Sequence, residues 1–265
     1  MVEIVPTGFG GAAADYARHR AGVPAALFER LEWFGVGSPG QVVIDLGTGT
    51  GTIARQLAAR GCLVTGIDPD PRMTAEAQRL GAEDAVDVDY RTATAEETGL
   101  DSAAADVVIA GQCWHWFDRP AAVREARRVL RSDGCLVITH FDWIPSPGSA
   151  VAVTERLIET HNPRWTMGGG HGMWPQWVPD VEAGGFRGVE TLGFDVMVPY
   201  SHESWRGRIR ASAGVTALDD ASRDRFDAEL AAELAVRFPS PHLEMQHRVW
   251  TMVARAPGHP DLAVR

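Results

Sequence analysis

A chain of 265 residues, 45% hydrophobic and 23% charged, is long enough to bury one sizeable core with additional elements. Its formal charge of −10, from 35 acidic residues against 25 Lys and Arg, repels a phosphate backbone at long range and argues against nucleic acid as a partner. The three cysteines, Cys62, Cys113 and Cys135, sit in or beside apolar segments, as buried thiols of a reducing compartment do. No basic-then-apolar leader or bilayer-length apolar run is visible, so a cytoplasmic protein without membrane attachment is expected.

After a glycine-rich start, residues 13 to 35 read as helical, with Pro24 opening a second helix whose apolar face carries Leu27, Leu31 and Phe34. Residues 41 to 46 form a first strand, 51 to 60 a helix closed by Gly61, and Cys62 to Ile67 a second strand. A helix opened by Pro71 runs to Leu80, with Gly81 as its stop. Val86 to Val88 reads as a short strand and Ala105 to Ala110 as a strongly apolar one. Arg119 to Leu130 is a helix with Val123, Ala126 and Leu130 on one side, and Cys135 to Phe141 is a fifth strand. Beyond Phe141 the alternation loosens. A helix at 148 to 160 precedes an ordered loop or short-helix cap at 162 to 182. Strand-like segments follow at 187 to 199 and 246 to 255, with helices at 202 to 213 and 222 to 236 between them, the latter repeating Phe226, Leu230 and Leu234.

This order predicts a Rossmann-like, doubly wound α/β fold. Its seven-stranded, mainly parallel sheet would carry helices on both faces and a helical and loop cap over the C-terminal strand ends. The last two strands would complete the sheet as an antiparallel pair at its edge.

The densest information lies in VIDLGTGTG, residues 43 to 51, and in Asp68 at the end of the next strand. Gly47, Gly49 and Gly51 let the backbone turn tightly and let a ligand approach where a Cβ would collide, and an acid placed like Asp68 accepts ribose hydroxyls. A dinucleotide fingerprint G-x-G-x-x-G starting at Gly47 needs a glycine at 52, where Thr52 stands. Starting at Gly49 allows only the looser variant ending in Ala54, so an NAD(P)-dependent oxidoreductase survives as an alternative. Asp45 suits a bound ammonium better than a pyrophosphate.

VIDLGTGTG, GIDPDPRM, TAEETGLDSAAADVVIAGQCWHWFD and REARRVLRSDGCLVI together resemble the successive motifs of class I S-adenosylmethionine-dependent methyltransferases, of the UbiE-like and trans-aconitate-methyltransferase-like branch. The resemblance covers residues 10 to 142 in detail. It implies S-adenosyl-L-methionine as cofactor and S-adenosyl-L-homocysteine as product. It assigns Gly47, Thr48, Gly49 and Gly51 to the backbone shelf under the methionine part, with Asp45 nearby, and Asp68 to the ribose. Pro69 and Met73 would line the adenine, with Thr94, Ala95 and Glu96 along its edge. Many relatives carry an aspartate where this chain has Thr94, which shifts adenine recognition toward backbone amides and Glu96. Gln112 would sit at the sulfonium and carboxylate end, and Tyr16 and Arg20 would close over the carboxylate. Met73 fits a core position equally well, Tyr16 and Arg20 a surface i,i+4 pair, and Glu96 a capping carboxylate. On this reading a single domain spans 1–265. Residues 1–40 are a helical lid, 41–142 the cofactor-binding core, 143–185 and 200–245 substrate-cap insertions, and 186–199 and 246–256 the final strands.

Methyl transfer from a sulfonium needs alignment, a dry pocket and sometimes a base, so no triad or metal cluster is expected. His115, after the fourth strand, and His140 with Asp142, at the end of the fifth, are the candidate bases, although HWF recurs in the resembling branch and gives His115 a loop-organising alternative. His161 and His171 lack metal-ligand spacing with them, and no metal is expected. Of the nine tryptophans, Trp114, Trp116, Trp143, Trp165, Trp174, Trp177 and Trp205 cluster in post-strand loops and the cap. Trp116 and Trp177 read as packing. Trp114, Trp143, Trp165, Trp174 and Trp205 are expected to line a pocket for a small hydrophobic or aromatic substrate. Arg164, Arg206 and Arg210 could receive a carboxylate or phosphate on it, although each also reads as a solvated surface arginine. Methylation at O, N or C is the leading function. A cofactor-retaining cyclase or binding protein on the same scaffold is a further alternative, and monomer and homodimer are both compatible.

Overall fold

The computed structural model describes residues 22 to 257, so the expected roles of Tyr16 and Arg20 lie outside the described residues. The elements in chain order are α1 (Ala25–Glu32), β1 (Val42–Leu46), α2 (Thr52–Ala58), β2 (Leu63–Asp68), α3 (Pro71–Glu83), β3 (Asp89–Thr92), β4 (Ala105–Gly111), α4 (Arg119–Val129) and β5 (Leu130–Trp143). They continue with α5 (Ala150–His161), α6 (Val178–Ala183), β6 (Arg187–Ser201), α7 (His202–Arg210), α8 (Ala213–Thr216), α9 (Asp220–Arg237) and β7 (His242–Arg255). The strands form one seven-stranded sheet in the order β3-β2-β1-β4-β5-β7-β6. The first five pair in parallel. Gly134 bonds to Ala256, and Ile144 to Gln246, so partners advance in opposite directions and β7 runs antiparallel to β5. The doubly wound, mainly parallel α/β architecture read from the sequence is therefore the observed one.

The described residues divide into two compact units, one made of residues 22–140, 174–192 and 250–257 and the other of 141–173 and 193–249. In the first unit, strand order reverses between β1 and β4. Right-handed crossovers then send α2 and α3 to one face and α4 to the other, leaving a crevice at the carboxyl ends of β1 and β4. Its core gathers Ile44, Leu46, Ile67, Val108, Ile138 and Met252, all buried. In the second unit α5, α7 and α9 enclose Ile158, Trp205, Ile209, Phe226, Leu230 and Leu234 together with Leu243 and Met245 from β7. The spacing of Phe226, Leu230 and Leu234 on α9 is the helical period that the sequence shows, and all three are fully buried.

Several boundaries differ from the sequence expectation. The third strand is Asp89–Thr92 and not Val86–Val88, because the backbone that pairs with Thr65 to Asp68 begins at Asp89. This edge strand turns only one aromatic inward, so the apolar pair Val86 and Val88 drew the assignment upstream. Gly81 does not stop α3. It lies inside the helix, buried, and the chain leaving the helix folds back so that the Val86 amide donates to the Gly81 carbonyl at 3.0 Å. Leu130 opens β5 instead of closing α4, with a register irregularity opposite Ala105 to Val107. The stretch at 162 to 182 contains a 3-10 turn at Pro175–Trp177 leading into α6. No helix among the described residues is long and apolar enough to cross a membrane.

Truncating Phe226 to Ala removes the largest side chain that α9 contributes to its core. It is expected to lower stability by ~3–5 kcal/mol in urea unfolding followed by tryptophan fluorescence.

Candidate functional site

Parallel register brings the strand ends into one row. Leu46 pairs with both Ile67 and Ala110, and Gly111 pairs with Thr139. The residues that follow Leu46, Ile67 and Thr139, namely Gly47, Asp68 and His140, therefore emerge along the same edge as Gly111 and Gln112. This edge holds the switch point.

The loop after β1 is built by its glycines. Gly47, Gly49 and Gly51 have φ of 63°, 56° and 76°, a region that side chains rarely adopt. A Cβ on Gly47 would lie 2.8 Å from the Cys113 side chain, and one on Gly51 would lie 2.2 Å from the Tyr90 hydroxyl oxygen. Around Gly49, by contrast, no described residue beyond its chain neighbours comes within 4 Å of the Cβ position, so the backbone there faces open space among the described residues. The Gly49 amide donates to Asp68 Oδ2 at 2.9 Å and the Asp70 amide to Asp68 Oδ1 at 3.0 Å. Each oxygen of that carboxylate keeps a further lone-pair direction. Burial raises the pKa of Asp68, and the two amides pull it back down.

Asp45 is deeper, 1% exposed, and accepts from the Thr48 hydroxyl at 2.7 Å. Burial pushes its carboxyl up to about 7, against the opposing effects of the Thr48 hydroxyl and the Ala54 amide. Tyr90, on β3, was not singled out in the sequence. Its ring fills the space beside Gly66, where a Cβ would meet it at 2.7 Å, and its buried hydroxyl has no hydrogen-bond partner among the described residues. The signal was present in DVDYRTAT, where Tyr90 is the one aromatic in a period-two run of exposed polar residues.

Along the next loop, Met73 and Ala95 are buried and Pro69 is exposed. The Thr94 hydroxyl accepts from the Glu97 amide at 3.2 Å, and Glu96 Oε1 accepts from the Asp118 amide at 2.9 Å, beside the start of α4. Glu96 thus ties two loops together. Gln112 follows β4 with φ of 64°, a strained conformation for a side-chain-bearing residue, and its amide donates to the Thr139 carbonyl at 2.9 Å. His115 and His140 come together with ring centroids 5.4 Å apart. His140 is 1% exposed and lies 5.0 Å from the Trp174 ring and 4.8 Å from Trp177. Trp174 and Trp177 stack at 4.6 Å and 7°, so these rings build one aromatic wall. Trp114 is wholly buried in the core beneath it, edge-on to Phe117 at 5.7 Å.

The remaining sequence candidates belong to the other unit. Asp142 is half-buried at the end of β5. The Trp143 indole N–H donates to Glu155 Oε1 at 2.7 Å, and burial raises the pKa of Glu155. Trp165 is half-buried against Gly214, whereas Trp205 is wholly buried in the core and donates to the Thr154 hydroxyl at 2.9 Å. Trp205 therefore has a packing role in this structure. Arg206 and Arg210 are both paired with Asp227 and Glu203, and Arg164 is exposed. Among the described residues no group of three or more His, Cys, Asp or Glu could hold a metal ion, and the three buried cysteines form no disulfide there.

A family profile described as a methyltransferase domain matches residues 44–138. An uncharacterized methyltransferase of Mycobacterium tuberculosis is 37% identical over 177 residues, covering 60% of this chain and 70% of that protein. A ubiquinone biosynthesis O-methyltransferase of Methylobacterium nodulans is 31% identical over 187 residues, covering 68% of this chain and 72% of that one. The solved structure of a protein from Anaeromyxobacter dehalogenans, proposed there to be a type II methyltransferase, superposes with a TM-score of 0.62 at 25% identity, covering 91% of this chain and 99% of that one.

Two outcomes test this geometry. Gly51→Ala is expected to destabilise by ~1–3 kcal/mol, and Tyr90→Phe in the same chain to recover part of the loss by removing the colliding hydroxyl, as a double-mutant thermal unfolding cycle would read. Asp45 titrates near ~4 when unfolded and near 7 when folded, so the folded chain holds the extra proton between those values. Its contribution to stability is full below about pH 4, falls as pH rises through 7, and is flat above. Asp45→Asn should therefore gain up to about 4 kcal/mol at pH 8 and nothing at pH 4, measured by urea unfolding at both values.

Proposed function

This chain belongs to the methyltransferase-domain family of class I S-adenosylmethionine-dependent enzymes, and we propose that it methylates O, N or C of a small hydrophobic or aromatic metabolite, as a member of the UbiE-like and trans-aconitate-methyltransferase-like branch. The observation that carries this reading is the 2.9 Å bond from the Gly49 amide to Asp68, beside the open space over Gly49. It docks the glycine loop onto the acid at the end of β2 and leaves that acid's outer lone pairs for a ribose.

S-adenosylmethionine, when bound, supplies a methyl group on a cationic sulfur and leaves as S-adenosylhomocysteine. The chain's own residues would hold, orient and dry the reactants. Asp68 would accept ribose hydroxyls. Gly47, Thr48, Gly49 and Gly51 would form the shelf under the methionine part. Asp45 would ionise when an ammonium is placed beside it, because an adjacent cation lowers a carboxyl that burial has raised. Pro69, Met73 and Ala95 would line the adenine. With Thr94 and Glu96 engaged by the amides of Glu97 and Asp118, the adenine edge would be read by backbone groups. Gln112 would face the sulfonium end, and Tyr16 and Arg20 would close over the carboxylate. His140, enclosed by Trp174 and Trp177, would accept the acceptor's proton, with His115 as the other candidate. Trp174 would offer the acceptor a flat apolar surface.

Isothermal titration with S-adenosylmethionine, S-adenosylhomocysteine and NAD tests the cofactor. Saturable binding of the first two is expected, Asp68→Ala should weaken both at least about tenfold, and binding of NAD alone would transfer the chain to the oxidoreductase alternative. The same titration with no turnover on any acceptor would favour the cyclase or binding-protein reading. For the base, the pH profile of methyl transfer should lose its lower limb in His140→Gln or His115→Gln. An unchanged profile in both would remove histidine from the chemistry.

A further inference from the structure

Helix α7 carries WRGRIR, with arginines at 206, 208 and 210. Residues 206 and 210 share one face of the helix, and 208 lies on the opposite face. The two faces are treated differently. Arg206 and Arg210 grip Asp227, and both reach Glu203, as structural arginines do. Arg208 joins no hydrogen bond or ion pair among the described residues, although it is half-buried and sits with its guanidinium carbon 5.0 Å over the Trp143 ring.

The groups that face it come from three strands. Asp142 at the end of β5 and Tyr200 near the end of β6 are close enough to favour its charge. His247 on β7, 3% exposed, is held neutral, its pKa lowered to about 4 by burial and by the Arg208 charge. Phe141 and Tyr200 flank that imidazole, with ring centroids at 4.9 and 6.0 Å. A guanidinium half-buried against an aromatic ring keeps part of its desolvation cost unless its donors are used. With its guanidinium carbon 5.0 Å over the Trp143 ring, Arg208 keeps N–H groups that make no hydrogen bond among the described residues, and such a planar fork matches a carboxylate or phosphate.

We infer that Arg208 is the receptor of an oxyanion-binding site, taking the carboxylate or phosphate of a small organic ligand beside Trp143 and Tyr200. Nothing in this site depends on the cofactor assignment. The sequence offered Arg164, Arg206 and Arg210 for an acidic group. The ion pairs of the latter two and the exposure of the first leave Arg208 in their place.

The test is direct binding to the full chain, followed by isothermal titration and by Trp143-sensitive fluorescence, with benzoate, phenyl phosphate and inorganic phosphate as probes. Saturable binding of benzoate or phenyl phosphate is expected, the tighter of the two naming the group. Arg208→Gln should weaken it at least about tenfold, Arg208→Lys by less, and Arg164→Gln not at all. If Arg208→Gln loses cooperative unfolding, Arg208→Lys carries the comparison. Equal affinity in wild type and the Arg208 variant, or no saturable binding to wild type up to about 50 mM, would overturn the inference. S-adenosylhomocysteine titrated into the same proteins reads the cofactor site separately. Its failure to bind would count against the methyltransferase reading and leave the anion result standing.

Discussion

The carboxylate of Asp68 joins two pieces of chain that share no other sequence relation. One oxygen holds the amide of Gly49, in the loop leaving β1, and the other holds the amide of Asp70, at the start of α3. That double contact is available only because parallel register sets Asp68 beside Gly47. The glycine loop can then keep its left-handed residues at Gly47, Gly49 and Gly51, and the open face over Gly49 follows from the same arrangement. Shifting β2 by one residue would turn Asp68 to the other face of the sheet and undo loop, cradle and helix start together.

The first unit was largely legible in the sequence, for a physical reason. Buried parallel strands are continuous apolar runs, and the turns between them must be made by Gly, Pro and capping residues whose backbone requirements are local. DLGTGTG, the proline that opens α3 and Asp118 capping α4 all declare themselves within a few residues. What escaped was set by partners distant in the chain. Tyr90 is one aromatic in an exposed edge strand until the loop it supports is known. The strain at Gln112 arises from its place between β4 and the Thr139 carbonyl, which no local pattern encodes. Trp205 looked like a pocket residue because tryptophans cluster in its half of the chain. Its indole N–H finds Thr154, fifty-one positions earlier, and the ring closes a core.

Two kinds of charge stand in contrast among the described residues. Pairs such as Arg79 with Glu76 and Glu83 lie on the surface, where water screens them and they add little to stability. Asp45 in one unit and Arg208 in the other are withdrawn from water without an opposite charge paired to them. Such groups weaken a fold. Their retention is understandable when a ligand completes them, and their signs forecast the ligand: a cation beside Asp45 and an anion beside Arg208.

The packing of Tyr90 against Gly51 and Gly66 has a meaning beyond this one chain. Three residues from the β1 loop, β2 and β3 occupy one volume, and any atom added to one must be taken from another. Natural variation at these positions should therefore be correlated. Descendants that lose the aromatic ring gain room for a side chain at position 66, while position 51 stays glycine for its left-handed backbone as well; descendants that keep the ring are held to glycine at both. The steric triplet evolves as one character, and it would tell lineages within the family apart by how their glycine loop is supported rather than by what they methylate.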